Sequence, residues 1–514
     1  MTNRCPADSS QPPAVLCRSA VAEVRGDGAV TVTFRRLWVR SLTVVLLTGL
    51  FAGSGLAADT PPNVLFIVSD DLNCDLGCYG HNLVQSPGID RLAKQGVLFE
   101  NAYCQYPVCN PSRSSFMTGC YPDQTGVLSN GGNLRKALPD VVTMPQLFQQ
   151  HGYFVARVGK IFHYSVPNAI GTSSADDPAS WQMVINPRGI DREIHDHIHT
   201  LQKGQFGGTL SWYNIQSRDE EHTDGIGATE AIRLLETHHP EKTGPPFFLA
   251  VGFYRPHTPY VAPSHWFDRY PREKIVPVLE KTGDRDDIPL AALADRPKQR
   301  DLTVAQRKEI IQAYFASISL MDAQVGRLLD TLDRLKLADN TVVVFLSDHG
   351  YHLGHHGLWQ KGDLFEGSAR VPLIVSVPGM QTAGRRTKSM AELVDLYPTI
   401  AELCRLPLPD HLQGRSQVPV LKDPQQAERD SALTVAWSRG GRLHKEIRGI
   451  EIKGYTVRTP RYRYTEWGAG EYGNELYDYQ ADPEEFTNLA RQDDQADVVN
   501  QLSRLLKQRV RQAQ

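Results

Sequence analysis

Two acidic clusters in the sequence each follow an apolar run of the kind that forms a buried strand. Asp70 and Asp71 come directly after one such run, and Asp348 and His349 come after another. If the two strands are neighbours, three carboxylates meet at one edge of a sheet, where they could not all ionise without added positive charge. An oxygen-rich ligand set favours Ca²⁺ or Mg²⁺ over zinc. Together the clusters predict a divalent-cation site, although either one alone is better explained as a solvated turn.

A second candidate for chemistry is Cys109, in the segment VCNPSRSSFMTG. Pro111 suits the first turn of a helix, and Gly119 suits its end. The thiol would then lie at the positive N-terminus of a helix, which favours an anion or a nucleophile. Arg113, one turn further on, adds a permanent cation. Taken alone, Cys109 is better explained as a small buried residue in a helix cap.

The elements that would position these groups alternate along the chain. Apolar runs at residues 64–68, 247–251 and 342–346 are typical of strands buried on both faces. A long helical pattern, Thr303–Leu335, lies between the second and third of them. This alternation predicts an α/β fold with a large, mostly parallel central sheet sandwiched by helices. Ligands bind such folds beyond the carboxyl ends of the strands, where both acidic clusters lie.

The last part of the chain has a different pattern. A helical pattern covers residues 390–406, and strand-like pieces follow at 446–467 and 474–479. We therefore predict a catalytic α/β domain over residues 59–389. A smaller C-terminal α+β subdomain with a short antiparallel sheet would follow over residues 390–514.

Residues 1–58 predict export. Three arginines between residues 35 and 40 precede the apolar run Leu42–Phe51 and a stretch of small residues, as in a signal peptide cleaved after Ala58. The run is too short for a comfortable membrane span, which makes an uncleaved anchor the weaker alternative. Residues 1–34 fit neither signal nor fold, and we interpret them as a gene-model extension. The prediction is a periplasmic or extracellular protein with no membrane span after cleavage.

Charge and cysteine content exclude other classes of protein. The formal net charge of −3 over 514 residues argues against a nucleic-acid partner. Six of the eight cysteines lie after residue 58, too few for a disulfide scaffold. The Cys74/Cys78 spacing has no second pair at zinc-finger spacing, so zinc is not favoured.

The segment CNPSRSSFMTG fits the signature of the type I sulfatases of the alkaline-phosphatase superfamily: Cys-x-Pro-Ser-Arg, four residues, Thr-Gly. The segments NVLFIVSDDL, GYFVARVGKIFH, GFYRPHTPY, SDHGYHLGHHGLWQKGDLFEGSARVPLIVSVPG and NELYDYQADPEEFTNLA resemble the same family. The resemblance runs from Asn63 to about Leu489 and is thin in 168–225 and 264–300. Within the family, LGCYGHNLVQSPGIDRLAKQGVLFENAY and QAYFASISLMDAQVGRLLDTLD resemble the iduronate-2-sulfatase branch.

The resemblance implies that a separate formylglycine-generating enzyme oxidises Cys109 to formylglycine. One hydroxyl of the hydrated aldehyde would attack sulfur and expel the alcohol, and collapse of the hemiacetal would then expel sulfate. The resemblance also implies one Ca²⁺ per subunit, held by Asp70, Asp71, Asp348, His349 and the modified Cys109.

Further roles follow from the same resemblance. Arg113 would orient the formylglycine, and Lys160 and Lys361 would bind the sulfate oxygens and neutralise the charge that builds on them. His163 would take the proton that triggers collapse. His257 would contact the substrate and protonate the leaving oxygen. Without the family match, each histidine is better explained by packing and Lys361 as a surface residue.

Two further residues concern specificity. Tyr351 stands where the iduronate branch has tryptophan, at a position expected to face the substrate. Arg439 is a candidate partner for a uronate carboxylate, and otherwise a surface residue. The predicted function is a sulfatase acting on a sulfated carbohydrate, such as a polysaccharide or oligosaccharide. The alternatives are a phosphonate monoester or phosphodiester hydrolase of the same superfamily, and a non-catalytic carbohydrate-binding relative.

Overall fold

Residues 61–278 and 280–514 are described by a computed structural model of the chain. The predicted signal peptide, residues 1–58, lies outside the described residues, so export stays a prediction. Within the described ranges, no helix combines the length and apolar character needed to cross a membrane.

Strands and helices alternate along most of the chain. The strands are β1 Asn63–Asp70, β2 Val97–Tyr103, β3 Phe154–Gly159, β4 Met183–Ile185, β5 His199–Thr200, β6 Ser211–Ile215, β7 Phe247–Pro256, β8 Tyr260–Pro263, β9 Thr341–Ser347, β10 His352–Leu353, β11 Trp359–Gln360, β12 Arg370–Ser376, β13 Arg386–Glu392, β14 Ala432–Trp437, β15 Lys453–Arg458, β16 Tyr462–Trp467 and β17 Asn474–Asp478. The helices are α1 Pro87–Gln95, α2 Cys109–Thr118, α3 Pro122–Thr125, α4 Leu134–Ala137, α5 Met144–Gln150, α6 Ile190–Glu193, α7 Thr223–Thr237, α8 Pro240–Thr243, α9 Ser264–Phe267, α10 Val304–Arg334, α11 Glu366–Ala369, α12 Leu396–Leu403, α13 Val418–Lys422 and α14 Ala496–Ala513.

An eight-stranded central sheet has the order β13-β2-β12-β9-β1-β7-β3-β4. Strand β12 runs antiparallel to both of its neighbours, and the other pairings in this sheet are parallel. The predicted α/β class with a large, mostly parallel sheet is therefore confirmed. The three strands predicted from apolar runs, β9, β1 and β7, lie next to one another at its centre.

Side chains of β1 alternate between two apolar cores, one on each face of the sheet. Val64, Phe66 and Val68 pack with residues of α2, α5 and α12, whereas Leu65 and Ile67 pack with residues of α7 and α10. Successive side chains of a strand point to opposite faces, so a strand covered on both sides must be apolar throughout. The continuous apolar run thus follows from helices on both faces.

The C-terminal region carries the predicted antiparallel sheet, with strand order β14-β15-β16-β17. Helix α14 packs on β15 and β16. The described residues all belong to one compact unit, Asp59–Gln514, and β13 spans the predicted boundary at residues 389 and 390. The division into 59–389 and 390–514 stays a prediction.

One predicted helix begins later than expected. The pattern over residues 390–406 predicts a single helix, but Met390–Glu392 belongs to β13 and pairs with β2, and α12 covers only Leu396–Leu403. Met, Ala and Glu favour helix intrinsically. Hydrogen bonding to a distant strand overrides that local preference here, and no short sequence window contains it.

A buried ion-pair cluster ties β13 to α14. The carboxylate of Glu392, at the end of β13, accepts from Arg509 of α14 at 2.8 Å and lies 2.9 Å from Arg429. The Tyr121 hydroxyl donates to the same carboxylate at 2.6 Å. Burial alone would raise the pKa of Glu392, but the two arginines hold it below its usual range.

Removing the Glu392 carboxylate would leave Arg509 buried without its carboxylate partner, whereas Arg429 would keep its ion pair with Asp395. We expect Glu392→Ala to lower the free energy of unfolding by about 3–5 kcal/mol, the cost of breaking a buried pair from one side. Glu100→Ala is the matched control because Glu100 pairs with the exposed Arg386, and its loss should cost at most about 1 kcal/mol. Denaturant unfolding measures both; equally small losses would contradict the anchoring role.

Candidate active site

The carboxyl ends of β1 and β9 bring the two acidic clusters together. The parallel register pairs Ser69 with Ser347, so the residues that follow lie side by side. Asp71 turns the chain with φ +65°, and its N–H donates to Asp348 Oδ1 at 3.3 Å. All three aspartates are buried. The carboxylates of the two clusters therefore lie together at one edge of the sheet, as predicted.

Cys109 begins α2 and points into this cluster. Its Sγ lies 3.4 Å from Asp70 Oδ1, 3.4 Å from His349 Nε2 and 4.0 Å from Asp71 Oδ1. The thiol is fully buried. At the other end of α2, Gly119 has φ +69° and closes the helix, as its position in the motif predicts.

Two lysines neutralise the carboxylates. Lys160, directly after β3, donates to Asp70 Oδ2. Lys361, directly after β11, donates to Asp71 Oδ1 and lies 3.2 Å from the Cys109 sulfur. Burial alone would raise the pKa of the Cys109 thiol, but the two lysines and His349 hold it well below its usual range. The site thus stabilises negative charge at residue 109.

Arg113 lies fully buried beneath the carboxylates. Its Nε donates to Asp348 Oδ2 at 2.8 Å and its Nη2 to Asp70 Oδ1 at 3.3 Å. Its Nη1 donates to the carbonyls of Lys160 and Ile161 at 2.7 and 2.8 Å. One guanidinium therefore fixes two carboxylates and the turn that carries Lys160. That it also orients the modified residue 109 stays a prediction.

The donor set fits a divalent cation. Burial raises the pKa of Asp348 to about 6 even with Arg113 beside it, and Asp71 Oδ2 is buried without a hydrogen-bond partner. His349 Nδ1 lies 2.9 Å from the Gly350 carbonyl, which directs Nε2 into the site. A divalent cation would offset the cost of burying the Asp348 carboxylate and would give Asp71 Oδ2 a partner. Candidate ligand atoms within 4.8 Å of one another come from two overlapping groups: Asp70, Cys109, Asp348 and His349, and Asp70, Asp71, Cys109 and His257.

Both predicted proton-transfer histidines reach the site. His163 Nδ1 is buried without a hydrogen-bond partner, and burial lowers the pKa of this imidazole, which interacts electrostatically with Cys109. His257 Nδ1 lies 2.5 Å from the Thr258 carbonyl, so Nε2 faces the site, 3.8 Å from Asp71 Oδ2. A neutral imidazole beside residue 109 and a second imidazole at the cavity suit a base and an acid, respectively.

A cavity of about 670 Å³ opens in front of these groups, lined in part by His257 and Lys361. Three arginines also line it, Arg296, Arg439 and Arg442, and no aspartate or glutamate is among the described residues of the lining. Burial and the nearby Arg439 and Arg442 together lower the pKa of Arg296 to about 9. The cavity is therefore shaped for an anionic ligand.

Sequence reasoning missed Arg296 and Arg442. Both lie in segments without a recognisable motif. Only the folded structure, in which the loop of Arg296 meets the loop of Arg439 and Arg442 at the cavity, identifies them.

The expected position of Tyr351 is corrected. Its side chain is 1 % exposed and does not line the cavity. Its hydroxyl lies 2.6 Å from that of Tyr260, and its ring stacks on Tyr314. The hydroxyl allows this phenol to pack inward, where it finds a partner. The residues that the structure does bring together are Asp70, Asp71, Cys109, Arg113, Lys160, His163, His257, Asp348, His349 and Lys361, with Arg439 at the cavity wall.

Comparisons with known proteins agree with this site. A family model described as "Sulfatase" matches residues 62–406, and one described as "N-sulphoglucosamine sulphohydrolase, C-terminal" matches residues 354–512. The chain belongs to the sulfatase family and is a sulfuric ester hydrolase.

Individual relatives cover most of the chain. Iduronate 2-sulfatase of Mus musculus is 34% identical, over 84% of this chain and 90% of its own. A sulfatase of Formosa agariphila is 32% identical, over 84% and 83%, respectively. The crystal structure of the phosphonate monoester hydrolase of Agrobacterium radiobacter shares the fold, with a TM-score of 0.71, 24% identity and coverage of 88% and 96%.

Calcium should stabilise the folded protein through this site. At 100 times the dissociation constant, a ligand of the native state alone adds about 2.7 kcal/mol to the free energy of unfolding. We expect chelator-stripped protein to show such a rise with CaCl₂, and Asp348→Asn to lose it. Asp322→Asn is the control, because Asp322 is also buried but accepts from the N–H groups of Gly88 and Ile89, between α10 and the start of α1. A full rise in Asp348→Asn would refute the ligand set.

Proposed function

We propose that the chain is an exported, calcium-dependent sulfatase that uses formylglycine at residue 109. Its substrate would be a sulfated carbohydrate with a second anionic group, of which a sulfated uronate is the simplest case. The observation that carries this proposal is the cavity in front of Cys109. Its cations lie in two sets, one at the carboxylates and one formed by Arg296, Arg439 and Arg442.

The first set suits the sulfate ester. Lys160 and Lys361 reach the space beside residue 109, where their ammonium groups would neutralise sulfate oxygens as charge develops. His257 Nε2 would hold the proton that the leaving oxygen takes up. His163 would accept a proton from residue 109, since burial lowers its pKa and keeps it neutral. A formylglycine hydrate would supply the attacking hydroxyl.

The cation has a defined place in this scheme. Asp70, Asp71, Asp348 and His349 would hold Ca²⁺ together with the side chain of residue 109. The ion would supply positive charge to a sulfate oxygen and to the ionised nucleophile. Arg113 contributes by fixing two of these carboxylates in place.

The second set suits a carboxylate or another anion on the same sugar. Arg439 and Arg442 form no ion pair within the described part of the chain, and Arg296 donates only to the carbonyls of Gly208 and Lys361. Mutual repulsion of three guanidinium groups is costly unless an anion joins them. Relatives named iduronate 2-sulfatase, after a sugar acid, support the same class of substrate.

Oxidation of Cys109 can be measured directly. Protein made together with a formylglycine-generating enzyme should yield a residue-109 peptide about 18 Da lighter than the cysteine form, because oxygen replaces sulfur and two hydrogens. Cys109→Ala should stay folded and lose turnover, whereas Cys104→Ala, which removes another buried thiol, should keep it. An active enzyme in which residue 109 is still a thiol would refute formylglycine as the nucleophile.

Arginine variants test the second anionic group. Against a sulfated uronate, Arg439→Gln should raise KM about tenfold or more with little change in kcat, as expected when uniform binding is lost. A neutral sulfated hexose should show less than about a twofold change. Arg448→Gln, an exposed arginine of the same loop outside the cavity lining, is the control.

The substrate panel also decides between reaction classes. To the sulfated uronate and the neutral sulfated hexose we add a phenyl phosphonate monoester, because a phosphonate monoester hydrolase shares the fold. Faster turnover of that compound than of every sulfate ester would overturn the sulfatase proposal. Equal kcat/KM for the neutral and the uronate sulfate, in the protein without arginine substitutions, would overturn only the proposed substrate class.

A further inference from the structure

Arg255 occupies the end of β7, two residues before His257, and its side chain is almost completely buried. Its Nη1 donates to the His257 carbonyl at 3.1 Å, and its Nε donates to the Val261 carbonyl at 3.2 Å. Its Nη2 lies 2.5 Å from Asp191 Oδ2. One guanidinium thus holds both sides of the turn that carries His257.

The backbone of the same residue is held as tightly. The N–H groups of Tyr254 and Arg255 donate to the two carboxylate oxygens of Asp224, at 2.8 and 2.9 Å. The Arg255 carbonyl accepts from the Ser69 hydroxyl at 2.8 Å, and Ser69 directly precedes Asp70. These hydrogen bonds therefore fix the position of the His257 turn relative to β1, the strand that leads into Asp70 and Asp71.

The partner carboxylate is fixed in turn. Asp191, in α6, accepts from the N–H and the hydroxyl of Thr223 at 2.8 and 2.7 Å, respectively. Thr223 begins α7. Burying such an ion pair stabilises a fold little or not at all compared with an apolar replacement. A buried guanidinium that donates from each of its three nitrogens, beside a functional turn, therefore calls for an explanation other than stability.

We propose that Arg255 is a positioning residue of the reaction, which keeps His257 Nε2 directed at the cavity and at Asp71. It acts through the main chain of the His257 turn and does not contact the substrate space. Lysine cannot replace it, because only the planar fork of arginine reaches three separate acceptors in fixed directions. This inference rests on the proposed role of His257 as proton donor to the leaving oxygen.

A double-mutant cycle tests the coupling. In the protein that keeps His257, Arg255→Met should lower kcat/KM on the best sulfated sugar about tenfold or more. This loss is part of the roughly 10²–10⁴-fold rate acceleration that a general acid supplies. In the His257→Ala background the same change should cost less than about twofold, because the group through which Arg255 acts is gone. Independent, multiplicative losses would overturn the proposal.

Controls separate positioning from stability. Arg463→Lys alters another fully buried arginine, paired with Glu485 in the C-terminal sheet; it should lower the melting temperature and leave kcat/KM unchanged. If Arg255→Met does not fold, Asp191→Asn removes the same ion pair from the other side and takes its place in the cycle. A loss of activity with Arg463→Lys equal to that with Arg255→Met would mean that both act only through stability.

A readout independent of turnover keeps this inference apart from the proposed function. In a crystal structure of Arg255→Met or Asp191→Asn, the distance between His257 Nε2 and Asp71 Oδ2, 3.8 Å in the unmodified chain, should lengthen by about 1 Å or more, the scale at which catalytic geometry fails. An unchanged distance would overturn the positioning role even if the sulfatase proposal holds. A displaced His257 without any sulfatase activity would reject the proposed function and keep the structural coupling.

Discussion

Mutual repulsion of three buried carboxylates is the constraint on which the rest of the site depends. Asp70, Asp71 and Asp348 cannot stay ionised together without positive charge, and the cationic groups that contact them supply it. Arg113 binds two of them from below, the lysines approach from the ends of β3 and β11, and the remaining lone pairs favour a divalent ion. Charge balance, more than shape, explains why residues so distant in sequence converge at Cys109.

Local signals were sufficient for the centre of the molecule. Apolar runs predict β1, β7 and β9, and the acidic residues that end them identify the site because parallel strands deliver their carboxyl ends to one edge. The Cys109 helix is encoded by its own proline and glycine. Arg296 and Arg442 could not be found in this way, since they come from irregular loops whose meeting depends on the finished fold. The helix predicted over the end of β13 is wrong because the strand β2, with which this segment pairs, lies some 290 residues away in sequence.

Tyr351 supports the site through two other tyrosines and not through contact with the cavity. Its hydroxyl pairs with Tyr260 and its ring stacks on Tyr314. Tyr314 donates its own hydroxyl to the carbonyl of Asp71 at 2.8 Å, and Asp71 holds a left-handed backbone conformation that non-glycine residues adopt at a cost. The aromatic cluster thus supports the strained turn of the site, and Tyr351 contributes to it from the protein interior and not from the cavity.

The complete burial of Cys109 has a consequence for the order of events in the life of the chain. A thiol enclosed by carboxylates, lysines and the start of α2 offers no access to another enzyme. Any enzymatic oxidation of this residue must therefore act on the nascent or unfolded polypeptide. If an enzyme oxidises residue 109, oxidation and folding compete in time, so the yield of oxidised protein would depend on how quickly the chain folds after synthesis relative to how quickly that enzyme reaches the thiol.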